Sequence, residues 1–98
     1  MSGKKESKGK IDFTLIDPVV LEEVAEILTT GGRKYGDKNY QNVNQNEYEK
    51  ALCRHLNKHL QGEKNDKQSK KLHISHVIAN GIFVAWHEKN GGSAIEEE

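Results

Sequence analysis

The sequence predicts an all-α fold of three main helices, at about 18–30, 46–61 and 69–88, preceded by an extended N-terminal arm. Three observations carry that prediction. Two stretches repeat apolar residues at the three-to-four spacing of one helical face, and a third is apolar nearly all round. Glycines fall between them where helices have to stop. The segment from Ala51 to His87 organises the rest, because it carries Arg54, His55, Glu63, Asp66, His73, His76 and Asn80 on and between two helices.

In chain order, Lys10 to Ile16 alternates Ile11, Phe13 and Leu15 with Asp12 and Thr14, which is strand-like patterning. With no second strand to pair, this stretch is expected to be an arm packed across the helices. Asp17-Pro18 opens the first helix with a capping carboxylate and a proline in the first turn. Val20, Leu21, Val24, Ile27 and Leu28 make its buried face, Glu22, Glu23 and Glu26 its outer side, and Gly31-Gly32 its end. The stretch from Arg33 to Gln45 then reads as a loop with a Gly36-Asp37 turn. As a plain surface loop it needs no further explanation. As a nucleotide-recognition loop, Lys34 would meet phosphate, Tyr35 or Tyr40 would stack on a base, and Asn39 would read its edge. It is not a glycine-rich P-loop.

Asn46 with Glu49 has the form of a capping box for the second helix. Ala51, Leu52, His55, Leu56, His59 and Leu60 follow at helical spacing, and Gly62 is the stop. Ser69 is the expected cap of the third helix, whose apolar run from Leu72 to Trp86 predicts a central core helix buried on most sides. That run is too short and too polar to span a membrane. His73, His76 and Asn80 stand at i, i+3 and i+7 on it, forming one polar stripe. An unpartnered polar group in a core costs about 1–3 kcal/mol. The stripe should therefore face a cavity, a ligand or another subunit, or consist of core residues hydrogen-bonded to backbone and to one another.

Composition sets the limits. At 98 residues with 34% hydrophobic content this is one domain, expected over 10–89 between flexible polar tails at 1–9 and 90–98. Burying the apolar third helix in so small a unit predicts a homo-oligomer. The formal net charge is zero, with a basic N-terminal end and an acidic C-terminal one, and nothing in the sequence resembles the one-sided basic surface of a duplex nucleic-acid binder. Neither a signal peptide nor a membrane span is visible. The single Cys53 excludes an intramolecular disulfide and fits a reducing cytoplasm; it reads as a small helical core residue, not a nucleophile.

Four ordered landmarks point further: Lys34-Tyr35-Gly36 followed by Asn39-Tyr40, the Arg54-His55 pair, Gly62-Glu63 with Asp66, and His73-x-x-His76 with Asn80. Over about Lys10 to Glu88 the chain resembles a family of small helical, largely phage and prophage proteins described as the dATP/dGTP diphosphohydrolase N-terminal domain. It departs from the family pattern twice: Tyr40 stands where tryptophan is usual, and Gln68-Ser69-Lys70 where Glu-Ser-Gly is usual. The resemblance also suggests kinship with MazG-like all-helical pyrophosphohydrolases, which hold Mg²⁺ with two carboxylate pairs. Glu23-x-x-Glu26 and Glu63-x-x-Asp66 match that pattern in form. A second donor set, Asp66, His73 and His76 with His55, would suit Mn²⁺, Fe²⁺ or Zn²⁺ better than Mg²⁺.

The resemblance implies a phage-type nucleotide-handling protein of the host cytoplasm, a metal-dependent enzyme converting dATP or dGTP to monophosphate and pyrophosphate. Its catalytic candidates are Glu63, Asp66 and His76. Glu63, Asp66, His73 and His55 are the candidate ligands of Mg²⁺ or Mn²⁺. Lys34, Tyr35, Asn39, Arg54 and Asn80 would hold the purine deoxynucleotide. Two other readings stand beside it: a non-catalytic oligomer that sequesters a nucleotide or nucleotide-derived signal, and a structural or host-protein-binding helical module.

Overall fold

A computed structural model of the chain describes residue 3 and residues 9–92; most of both predicted tails lies outside that range. The fold is all-α. Its helices are α1 (Pro18–Tyr35), α2 (Gln45–Leu60) and α3 (His73–Lys89), with short 3₁₀ turns at Phe13–Leu15 and Asn39–Asn42. α3 is the middle member, packing extensively on α2 and along part of α1.

The boundaries of α1 and α2 have local causes, whereas the start of α3 is fixed by a neighbouring helix. Asp17 accepts a hydrogen bond from the Val19 amide at 2.8 Å, and Pro18 supplies the first helical position. α1 does not stop at Gly31-Gly32 as predicted; it runs through them to Gly36, whose φ of 97° suits only glycine. Gly36 N–H donates to Gly32 O at 2.8 Å, and Arg33 and Lys34 in the last turn complement the helix dipole. A Cβ at Gly32 would lie 2.8 Å from Asp37 Oδ1, the end of an exposed side chain that can swing aside.

The cap of α2 is Asn44, not Asn46: its side chain accepts from the Asn46 amide at 2.9 Å, with Glu47 three residues on. Asn44-x-x-Glu47 offers the same signature two residues earlier, and there the backbone of the preceding turn is already extended. α3 starts at His73, not at Ser69. The chain from Gly62 to Leu72 folds instead into a tight loop, with an isolated bridge between Asn65 and Leu72 and a hydrogen bond from Asp66 N–H to Lys71 O. Leu72 gives α3 no side-chain cap. Glu23 of α1 takes that part from across the bundle, accepting from Leu72 N–H at 3.4 Å and Ser75 Oγ at 2.9 Å. Glu26 completes the contact with Lys71 at 3.1 Å.

Burial along α3 meets the sequence expectation on its polar side and departs from it on its aliphatic side. Among the described residues the buried apolar side chains are Val24 and Ala79, whereas Gln45, His73, Ser75, Asn80 and His87 are buried polar ones. The polar stripe turns inward onto α2, and Ile78 and Ile82 face outward, each 40% exposed. Among the described residues no buried side-chain nitrogen or oxygen lacks a partner. Cys53, expected in the core, is exposed on α2. Lys10 to Ile16 also departs from expectation: it forms a 3₁₀ turn capped by Asp12, and Ile11, Phe13 and Leu15 all stand in solvent.

Lys70 has φ 68°, in the left-handed region that favours glycine. Lys70→Gly is expected to stabilise the fold by about 1 kcal/mol, read as a higher urea midpoint at unchanged slope.

Candidate functional site

The residues singled out between Ala51 and His87 converge where α2, the 62–72 loop and the start of α3 meet. His73, 2% exposed, is gripped from both sides. Its Nε2 lies 2.6 Å from Glu63 Oε2 and its Nδ1 2.8 Å from His55 Nδ1. A carboxylate can only accept, so Nε2 carries the proton and Nδ1 of the neutral ring is the lone-pair position. One carboxylate oxygen of Asp66 and one ring nitrogen each of His55 and His73 lie within 4.8 Å of one another. Two imidazole nitrogens and a carboxylate oxygen are the donor types taken by borderline divalent ions. Glu63 stands behind His73, as the carboxylate that fixes the tautomer of a metal-binding histidine does.

His76 sits beside this cluster. Its ring stacks on His55 at 4.3 Å between centroids with 7° between planes, and its Nε2 lies 2.7 Å from Ser69 Oγ. Ser69 N–H donates to Asp66 Oδ2 at 2.8 Å, so one serine ties the acidic loop to the helix. The predicted cap of α3 thus serves the site instead.

Two cavities meet at the His55–His76 stack. The smaller, about 360 Å³, is lined by Arg54, His55, Lys58, Glu63, Asp66, Lys67, Gln68 and His73. It holds the histidine–carboxylate cluster under a cationic rim. The larger, about 760 Å³, is lined by Tyr35, Asn39, Tyr40, Tyr48, His76, Asn80 and Phe83, with Ile27, Leu28 and the glycines of α1 on the far wall. Tyr40 stacks on Phe83 at 4.7 Å, and Tyr48 leans on the same ring. The backbone of this wall is anchored by His87, whose Nε2 lies 2.9 Å from Tyr40 O. Asn80 Nδ2 donates to His76 O at 2.8 Å within its own helix.

Most of the sequence candidates therefore gather at one place. Lys34 is the exception: it lines neither cavity, and its ammonium lies 5.5 Å from the Tyr35 ring centroid. Glu23 and Glu26 are occupied with Ser75 and Lys71, outside the cluster, so α1 does not bring a second carboxylate pair to it. Lys58, Lys67, Ser69, Tyr48 and Phe83 escaped the sequence reading. Lys58 had a signal, standing one helical turn after Arg54 and hence on the same face; the others depend on how the loop and helices close.

Fold and site together define a small all-α domain that sets a histidine–carboxylate cluster beside an aromatic cavity. The chain belongs to the dATP/dGTP diphosphohydrolase N-terminal family, whose model matches residues 1–97. A curated relative from Salmonella phage PMBT28, named dATP/dGTP diphosphohydrolase, is 33% identical over 86 residues. That alignment takes in 88% of this chain and 30% of the relative, so the chain spans under a third of that protein's length. No solved structure matches the fold. Among the described residues no helix is long and apolar enough to cross a membrane.

The site is electrostatically tuned toward neutral rings and charged acids. Burial lowers the pKa of His55, helped by His76, and burial likewise lowers that of His76. The hydrogen bond from His73 lowers Glu63; burial raises Asp66, but its hydrogen bonds from Ser69 and the adjacent histidines outweigh it and lower the net value. His55 and His76 thus titrate below the ordinary 6.5 when folded, and the unfolded chain binds more protons as pH falls through 6.5. The stability these rings contribute is present above that value and lost below it. The two carboxylates act with the same sign at lower pH, below their ordinary 4.5 and 3.8. The melting temperature is therefore expected to fall steadily from about pH 7.5 to about pH 5.5, and less steeply in His55→Asn and His76→Asn variants, as followed by circular dichroism.

Proposed function

We propose that this domain binds a purine deoxynucleoside triphosphate and, with a divalent ion, hydrolyses it to monophosphate and pyrophosphate. The observation that carries this reading is the junction of the two cavities across the His55–His76 stack. A planar base fits the Tyr35, Tyr40, Tyr48 and Phe83 cavity, with Asn39 and Asn80 as groups able to read its edge. Phosphates fit the Arg54, Lys58 and Lys67 rim, where a polyanion is attracted and its developing charge neutralised.

The donor set of His55, Asp66 and His73 fits a metal ion, and with two nitrogens it favours Mn²⁺ over Mg²⁺. Such an ion, when bound, supplies Lewis acidity at the phosphates and lowers the pKa of attacking water. In the step itself, a water oxygen forms a bond to the α-phosphorus while the bond from that phosphorus to the bridging oxygen breaks. Pyrophosphate leaves with the electron pair. The proton of water passes to His76, which burial keeps neutral at neutral pH and hence able to accept it. Asp66 and His55 hold their geometry through Ser69 and His73. Glu63 acts by orienting His73.

One observation favours the sequestering alternative. Of the acidic residues proposed for the site, Asp66 belongs to the three-residue cluster, while Glu63 serves His73. Binding needs only the aromatic cavity and the cationic rim.

The test is incubation of the chain with dATP and dGTP in Mn²⁺, in Mg²⁺ and after metal removal, read by chromatography. Monophosphate and pyrophosphate, faster with Mn²⁺ and lost in Asp66→Ala, support the enzyme. Nucleotide retained unchanged by the protein supports sequestration, and neither turnover nor retention overturns both. Because Glu63 acts through His73, Glu63→Ala should weaken Mn²⁺ affinity by about 10–100-fold, measured by titration calorimetry without nucleotide. A general base would leave that affinity unchanged.

A further inference from the structure

α1 overhangs the bundle. Its polar hold on α3 is Glu23, which meets Leu72 and Ser75 at the very start of that helix. From Gly9 to Glu22 every residue is exposed, so this part of the chain is covered by neither neighbouring helix. There the chain carries Ile11, Phe13, Leu15, Ile16, Val19 and Leu21, with exposures from 51% to 83%. This overhang is not a loose tail. Asp12 caps the 3₁₀ turn through the Thr14 amide and hydroxyl, Ile16 N–H closes it onto Phe13 O, and Asp17 caps α1 at once behind it. Local hydrogen bonds thus hold apolar side chains out into water.

A second uncovered surface lies on α3. Ile74, Ile78, Gly81, Ile82 and Ala85 follow one another at i, i+4, i+7, i+8 and i+11, the spacing of a single helix face. Ile78, Ile82 and Ala85 are exposed, and a Cβ added at Gly81 would meet nothing within 4 Å. The face is flat at its centre and flanked by isoleucines. From Leu72 to Trp86 α3 contains no aspartate, glutamate, lysine or arginine, so no charge has to be desolvated to cover it.

We propose that these two surfaces form the interface with a second copy of this chain. A two-fold pairing would bring the same surfaces of each copy together, and the α3 face carries no charge to repel its counterpart. Side chains exposed to this degree offer on the order of 1,000 Å² per copy, enough for the roughly 800 Å² that each partner of a stable complex contributes. The proposal is independent of the catalytic reading: the surfaces contain none of the residues assigned to metal or nucleotide.

The test is the mass of the 98-residue chain in solution, by light scattering after size exclusion and by sedimentation over a range of concentrations. The expected result is twice 11.1 kDa. Phe13→Ser with Leu15→Ser, in a turn whose side chains are exposed, should weaken self-association on the order of 100-fold with the helical circular dichroism unchanged. Ile82→Lys should do the same from the other surface. An 11.1 kDa species at every concentration overturns the proposal and leaves these faces for a different partner. So does a dimer that both variants leave intact.

Discussion

The buried ring of His73 is the constraint on which the arrangement depends. A polar ring at 2% exposure is tolerable only because both nitrogens are engaged, one by Glu63 from the loop and one by His55 from α2. That double engagement sets three things together. It seats the first turn of α3 against α2, draws the 62–72 loop back over the junction, and places His55 where it can stack on His76. The partition into a cationic cavity and an aromatic one follows, because the stacked histidines are the wall between them.

α1 contributes by a different route. Its acids are not at the cluster; Glu23 serves as the missing cap of α3, and Glu26 holds Lys71. A helix whose first residue has no side-chain cap starts where a neighbour satisfies its amides. The start of α3, and with it the position of His73, is thereby tied to a helix fifty residues earlier in the chain. Lys70 at φ 68° is held there by the loop around it, its N–H donating to Asp66 O and its carbonyl accepting from Asn65, although a residue with a Cβ resists that conformation.

The helices were legible because periodicity and glycine placement are local signals. His55, Asp66 and His73 could be named as one donor set, but no spacing along the chain brings His55 on α2 to the other two; only the closing of the loop does. The histidine stripe was legible as a stripe, since i, i+3 and i+7 define a face whatever lies opposite. Its direction was not. Hydrophobicity alone turns the aliphatic side of α3 inward, and the structure turns it outward because the polar side has partners in α2 and the loop. Ser69 shows the same gap between type and place: a serine before an apolar run has the chemistry of a cap, but the hydrogen bonds of the 62–72 loop hold it at His76. The end of α1 was missed because glycine only weakens a helix, and the stop at Gly36 is set by a positive φ that no composition rule locates.

The two glycines inside α1 have a consequence for how the aromatic cavity is entered. Gly31 and Gly32 each weaken a helix by about 1 kcal/mol relative to alanine, and both line that cavity. They lie one turn from the end of α1, where a helix frays first, whereas the opposite wall is the packed middle of α3. One side of the cavity is thus soft and the other hard. The glycine turn is the part of the cavity wall that local unfolding reaches at the least cost in free energy, while Ala79, Asn80 and Phe83 stand in the middle of α3.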